Sequence, residues 1–234
     1  MDSGNEGIIR KEKEVNDMRI PDELAEQGKK RIISYPVEGF VYGSGPEYAK
    51  VMLVGEAPGE TEIGNGIPFS GRAGNELMKF LEIAGVTREE VYITSAVRSR
   101  PYKWGEKNGP DGTKIKRKYN RAPTSGEILA HAPLLDYEIE HVKAPVIVAL
   151  GNIGLKRLIG KEKKVSELHG KLLIQPVLRL NGDKYEWTGK EYRIFPTFHP
   201  AAIFYNRRLL ELIHSDMKNL RELLGNLPVN EQSD

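Results

Sequence analysis

The sequence predicts an α/β fold, with helices packed on a mostly parallel central sheet. Three observations predict it. Short apolar runs at 51–54, 91–94 and 146–150 have the length and composition of buried strands, and the last is apolar throughout, as a central parallel strand is. Helical patterns with one apolar face lie between them, and the loop that follows the first run is long, glycine-rich and acidic, as at the site-bearing end of a parallel strand. At 234 residues the chain has the size of one compact domain with a substantial core.

In chain order, residues 1–19 are charged and weakly apolar and are expected to form a flexible tail, with a single domain over 20–225 and a second tail over 226–234. Residues 22–27 suit one helical turn. Strand 51–54 leads through the loop 55–74 into a helix over 75–84, where Leu77, Met78, Leu81 and Ala84 share a face. Thr87-Arg88-Glu89-Glu90 resembles a capping box ahead of strand 91–94, and Thr124-Ser125-Gly126-Glu127 is a clearer one, opening a helix to about His141. After strand 146–150, a short helix is expected over 151–159. Two strands, 172–180 and 185–197, join around Asn181-Gly182-Asp183, and an amphipathic helix over 207–224 closes the chain.

Charge is balanced, with a net of +2, so affinity for a polyanion must come from a local face. That face is sought in the insert 98–121, which carries Arg98, Arg100, Lys103, Lys107, Lys114, Lys116, Arg117, Lys118 and Arg121 against two acids. Its Gly, Pro and Asn content predicts a long loop, and Tyr102, Trp104 and Tyr119 among the cations suit base stacking on single-stranded or distorted DNA. The chain has no cysteine, which excludes disulfides, thiol nucleophiles and thiolate metal sites. No apolar run reaches membrane-spanning length and the first twenty residues are polar, so no membrane partner and a cytoplasmic location are expected. No GxxxxGK[ST] phosphate loop is present.

Glu56, Ser95 and His199 each follow a different predicted strand. In a parallel sheet those strand ends converge on one rim, so the three can share a pocket.

The same stretches carry a resemblance. GEAPGETE with PFSGRAG (55–62 and 68–74), VYITSAVRSRP (91–101), VIVALG (146–151) and TFHPAAIFYNRR (197–208) resemble, in this order, the motifs of the uracil-DNA glycosylase superfamily, closest to its thermophile-type family 4. The resemblance spans roughly residues 40–224. It implies a three-layer α/β/α sandwich with a central, mostly parallel four-stranded sheet. It also implies monofunctional hydrolysis of the uracil–deoxyribose bond in DNA, leaving an abasic site; because the chain has no cysteine, no cofactor is expected.

Carried onto this sequence, the resemblance makes Glu56 the carboxylate that orients water or supports the sugar cation. His199 becomes the donor to the departing base. Phe69 would stack on the extruded uracil, within a pocket formed by Gly55, Ala57, Pro58, Gly59 and Ser95. Ile203 would be the apolar wedge filling the gap left by the base, with Phe204 and Tyr205 able to do the same. Arg72, Arg100, Lys116, Arg117, Lys118, Asn206, Arg207 and Arg208 would contact the DNA backbone. The partner is uracil-containing DNA, single- or double-stranded, and the protein is expected to be a monomer.

Two departures stand out. Family 4 carries four cysteines around an iron–sulfur cluster; here Ser99 stands at the third position and His131 at the fourth. The family also places an asparagine where this chain has Ser95, whose shorter hydroxyl cannot read the uracil edge in bidentate fashion. Two other readings therefore stay open on the sequence: a non-catalytic or weakly catalytic DNA-binding relative, and a glycosylase for another deaminated base.

Overall fold

The computed structural model describes residues 17–227. Of the expected tails, residues 1–16 and 228–234 lie outside the described part; Asp17 bridges to Pro46 and Met18 is buried, so 17–18 belong to the folded unit.

The elements are α1 (Asp22–Ile32), β1 (Val37–Glu38), β2 (Val51–Gly55), α2 (Glu60–Asn65), α3 (Arg72–Ala84), β3 (Val91–Ser95), β4 (Arg100–Asn108), β5 (Lys114–Asn120), α4 (Ser125–His141), β6 (Ile147–Leu150), α5 (Gly151–Ile159), α6 (Val165–Leu168), β7 (Leu173–Asn181), β8 (Lys184–Thr197) and α7 (Leu209–Asn226). The main sheet has the order β3-β2-β6-β8-β7. Its first four strands are parallel, as expected, and the fifth, β7, adds an antiparallel edge through a hairpin with β8.

Alternation along the strands builds the three layers. Val51 and Leu53 of β2, Val91 and Ile93 of β3, and Val148 and Leu150 of β6 pack with Leu77, Phe80 and Leu81 of α3 and Ile213, Met217 and Leu220 of α7. The intervening Met52, Val54, Tyr92, Ile147 and Ala149 face Leu135 and Ile139 of α4 and Leu155 and Leu158 of α5. The Thr124 capping box forms as its sequence predicts: the Thr124 hydroxyl accepts from the Glu127 N–H and the Glu127 carboxylate from the Thr124 N–H.

The insert differs from expectation. It is an antiparallel β-hairpin, β4–β5, in a second sheet of order β1-β4-β5, rather than a long loop. The turn-forming residues are concentrated at its tip, Asn108 to Gly112, where Gly112 takes φ +80° and the Asp111 carboxylate accepts from both the N–H and the hydroxyl of Thr113. The motif loop also holds a helix its glycines hid, α2. Among the described residues, no helix is long and apolar enough to cross a membrane.

Candidate active site

The carboxyl ends of β2, β3 and β8 open onto a cavity of about 540 Å³ whose walls include Glu56, Ala57, Pro58, Gly59, Phe69, Arg72, Ser95 and His199. Glu56 follows β2 directly. Its carboxylate has no hydrogen-bond or ion-pair partner among the described residues, and burial pushes its pKa above the usual carboxylate range.

His199 caps a short 3-10 helix, Pro200–Phe204, with its Nδ1 accepting from the Ala201 N–H at 3.2 Å. Burial pushes this imidazole down to about 4, so it is neutral at pH 7. With the Nδ1 lone pair engaged, the single proton of the neutral ring belongs on Nε2, which makes Nε2 a donor.

Phe69 packs beside it, with 5.6 Å between ring centroids and 32° between planes. Phe69 has φ +54°, the one non-glycine residue with positive φ among those described, a conformation costing roughly 1–2 kcal/mol. Two glycines hold it there. A Cβ on Gly55 would lie 2.8 Å from the Phe69 ring, and one on Gly74 would lie 1.6 Å from the Phe69 carbonyl oxygen. Gly55 thus seats the aromatic ring and is not itself on the cavity wall.

Glu62 fastens the loop. At the third position of α2, its carboxylate accepts from the Gly59 N–H at 3.0 Å and the Gly71 N–H at 2.9 Å, joining the starts of α2 and α3.

Ser95 lines the cavity, but its hydroxyl donates to the Val97 carbonyl at 2.8 Å, so its proton is committed within its own turn. Asn120 and Arg121, absent from the expected set, also line the cavity. The Asn120 Oδ1 accepts from Arg100 Nε at 2.6 Å, which fixes the amide orientation and leaves its Nδ2 without a partner among the described residues. The signal in the sequence was faint: an asparagine at the end of a polar insert.

Several expected DNA contacts are placed differently. Ile203 is 5% exposed and joins the core with Leu77 and Ile213, because the 3-10 helix turns it inward; Phe204 and the fully projecting Tyr205, 92% exposed, point outward instead. Arg100 is buried and held by Glu38 at 2.7 Å, so it is not a surface cation, and Arg98 is buried against Glu138. Arg117 pairs with Glu60 at 2.9 Å and Lys118 with Glu38. Lys116 is exposed with no ion pair among the described residues, as are Asn206, Arg207 and Arg208 just before α7. Arg72 is exposed with its guanidinium 4.6 Å from the Phe204 ring centre.

An iron–sulfur cluster does not fit this chain. Ser99 and His131 are buried, His131 Nδ1 accepts from the Arg98 N–H at 2.8 Å, and its ring meets Phe40 edge-on at 5.8 Å. Burial holds His131 neutral, down to about 3, and no thiolate exists to ligate iron.

A family model described as "Uracil DNA glycosylase superfamily" matches residues 42–223. The chain is 37% identical over 186 residues to the type-4 uracil-DNA glycosylase of Sulfurisphaera tokodaii, covering 78% of this chain and 74% of the relative. It is 35% identical to that of Saccharolobus solfataricus, over 81% of this chain and 78% of the relative, and 33% identical to that of Archaeoglobus fulgidus, over 80% and 82%.

Proposed function

From the premise that the chain belongs to the uracil-DNA glycosylase superfamily, we propose that its cavity is where uracil is cut from DNA, with Glu56 and His199 as the catalytic pair. The protein is a uracil-DNA glycosylase, a hydrolase that breaks the N-glycosidic bond and leaves an abasic site. The observation that carries the assignment is the convergence on one cavity of Glu56 and His199, from the ends of β2 and β8, with Phe69 from the loop ahead of α3.

The chemistry follows from their states. An extruded uracil stacks on Phe69, and the Nε2–H of neutral His199 donates to a ring carbonyl oxygen. As the glycosidic bond lengthens, its electron pair moves onto the base and negative charge grows on that oxygen, where the fixed donor stabilises it. Ionised Glu56 orients the water that adds to the cationic C1′ and supports that positive charge. Water's oxygen forms the new bond to the sugar, and its proton passes to solvent or to the departing base.

Arg72, Lys116, Arg207 and Arg208 supply backbone contacts, and Tyr205, rather than Ile203, is the residue placed to fill the gap in the stack. The commitment of the Ser95 hydroxyl to Val97 keeps one second reading in view, a weakly catalytic binder. The further reading is of a cytoplasmic monomer acting on single- and double-stranded substrates. Base release from single-stranded and duplex oligonucleotides carrying one uracil, beside Glu56→Gln and His199→Ala, tests the assignment. Release lost in both variants supports it; uncut DNA bound tightly by the unmodified protein favours the binder.

A further inference from the structure

We infer that the β4–β5 hairpin is a stacking platform for unpaired bases of the strand that carries the target nucleotide. The inference rests on the cavity being the uracil site, because it starts from the residue the two share.

That residue is Asn120. It ends β5 and lines the cavity. The register pairs Tyr102 with Asn120, Trp104 with Lys118 and Glu106 with Lys116, so Asn120, Lys118, Lys116, Tyr102, Trp104 and Glu106 project from one face of the hairpin, with Glu106 paired to Lys114 at 2.9 Å. From Asn120 to Lys116 this face runs about 13 Å outward from the cavity. The side-chain contacts agree with this alternation: Lys118 lies over both rings, 4.3 Å from the centre of Tyr102 and 5.5 Å from that of Trp104.

Trp104 is 62% exposed, touched edge-on by Tyr102 at 5.9 Å. A large ring left open beside cations is a binding surface in waiting, and charge selects what it binds. Lys116, on the same face, has no acidic partner among the described residues, which suits a phosphate backbone, and Lys103 and Lys107, likewise without one, line the opposite face. The platform is also anchored. Arg100 ties Asn120 to Glu38, and Arg121 is gripped by both oxygens of the buried Glu127 carboxylate, so the foot of the hairpin holds a fixed position against the cavity.

Why unpaired bases follows from geometry. In a duplex both faces of each base are covered by its neighbours, so an outlying indole finds no face to meet. In a single strand each base offers one, and aromatic stacking is worth a large factor in affinity per base whatever the sequence.

The test uses the full chain. With two tryptophans in the sequence, Trp187→Phe leaves Trp104 as the sole tryptophan, excited selectively at the red edge beyond tyrosine absorption. Titration with a uracil-free single-stranded oligothymidylate is expected to quench Trp104 emission, and a duplex of the same length to leave it nearly unchanged. Separately, Trp104→Ala is expected to lower kcat/KM on a single-stranded uracil oligonucleotide about tenfold or more, with less than a twofold change on a duplex and an unaltered Tm. Binding of the oligothymidylate, seen by anisotropy, without quenching would overturn the inference. So would equal losses on both substrates, or quenching by RNA but not by DNA. Glu56→Gln, assayed alongside, keeps the two ideas separable: if it releases uracil at the rate of the unmodified protein, the catalytic assignment fails while the quenching result stands.

Discussion

His199 Nδ1 accepts from the Ala201 N–H at 3.2 Å, and this one contact decides which nitrogen of the catalytic imidazole can donate. The ring is neutral at working pH, and its Nε2 must carry the proton. A glutamine at this position keeps a donor but loses the fixed geometry. His199→Ala removes the donor altogether, and a loss of kcat of about 10²–10³ is expected, as for other single donors to a developing anion. KM should change little, because the donor matters most once charge has moved onto the base. Single-turnover kinetics with saturating enzyme would show an unchanged rate constant if His199 only shaped the pocket.

The two catalytic groups respond oppositely to pH. Burial raises the Glu56 pKa, so the ionised form needed to orient water gives way on acidification at a pH above the ordinary glutamate value of 4.5. His199 titrates lower, near 4. The acid limb of the kcat profile is therefore expected to belong to Glu56, with a midpoint above 4.5, and to be absent from the residual activity of Glu56→Gln.

Stability carries the same signs. A carboxyl whose folded pKa is raised stabilises the fold while protonated and loses that contribution as pH rises through the folded value. At pH 7 an ionised, partnerless Glu56 is a burden, and Glu56→Gln should raise Tm by about 2–4 °C, corresponding to ~1 kcal/mol in a chain of this size. His199, with its pKa lowered, contributes stability that is present above pH 6.5 and lost as pH falls towards 4. His199→Asn should flatten the Tm profile across that window, which differential scanning calorimetry at several pH values would record.

What the sequence revealed and what it hid divide along physical lines. The parallel strands were readable because both faces are covered: β2 and β6 have no polar side chain to interrupt the run. Glu56 was readable as the polar residue immediately beyond such a run, and His199 as the histidine shortly after the buried end of β8. The hairpin was not, since its strands are largely solvent-exposed and carry cations where a half-buried strand would alternate apolar and polar residues. The burial of Arg100 was hidden for another reason: its partner Glu38 lies on β1, too distant in the chain for any local pattern to announce the pair. Ile203 was misplaced because a 3-10 helix, with its period near three, sends it inward where an extended loop would have left it exposed.

Gly74 makes a sharp steric prediction. An added Cβ would lie 1.6 Å from the Phe69 carbonyl oxygen, a backbone atom that cannot swing aside. Gly74→Ala is expected to displace the loop bearing Phe69 and reduce uracil release by at least tenfold. Gly64→Ala, in the same loop but with open space around its Cβ, should leave the rate within about twofold. Equal rates for the two variants would show that the Phe69 position is not needed.

The cations separate by burial, and salt dependence can read the difference. Lys116 is exposed and has no ion pair among the described residues, so Lys116→Ala should weaken DNA binding similarly for every sequence and lower the slope of log K against log salt by about 0.7 on single strands. Arg100 is buried, paired with Glu38 at 2.7 Å and bonded to Asn120 at 2.6 Å. Arg100→Ala frees the Asn120 amide and leaves Glu38 with Lys118 as its partner, so the expected result is a lowered Tm with an unchanged salt slope among molecules that remain folded. A reduced slope for Arg100→Ala would mean that the guanidinium leaves Glu38 to meet phosphate, and the rigid hairpin foot would then be a feature of the free protein alone.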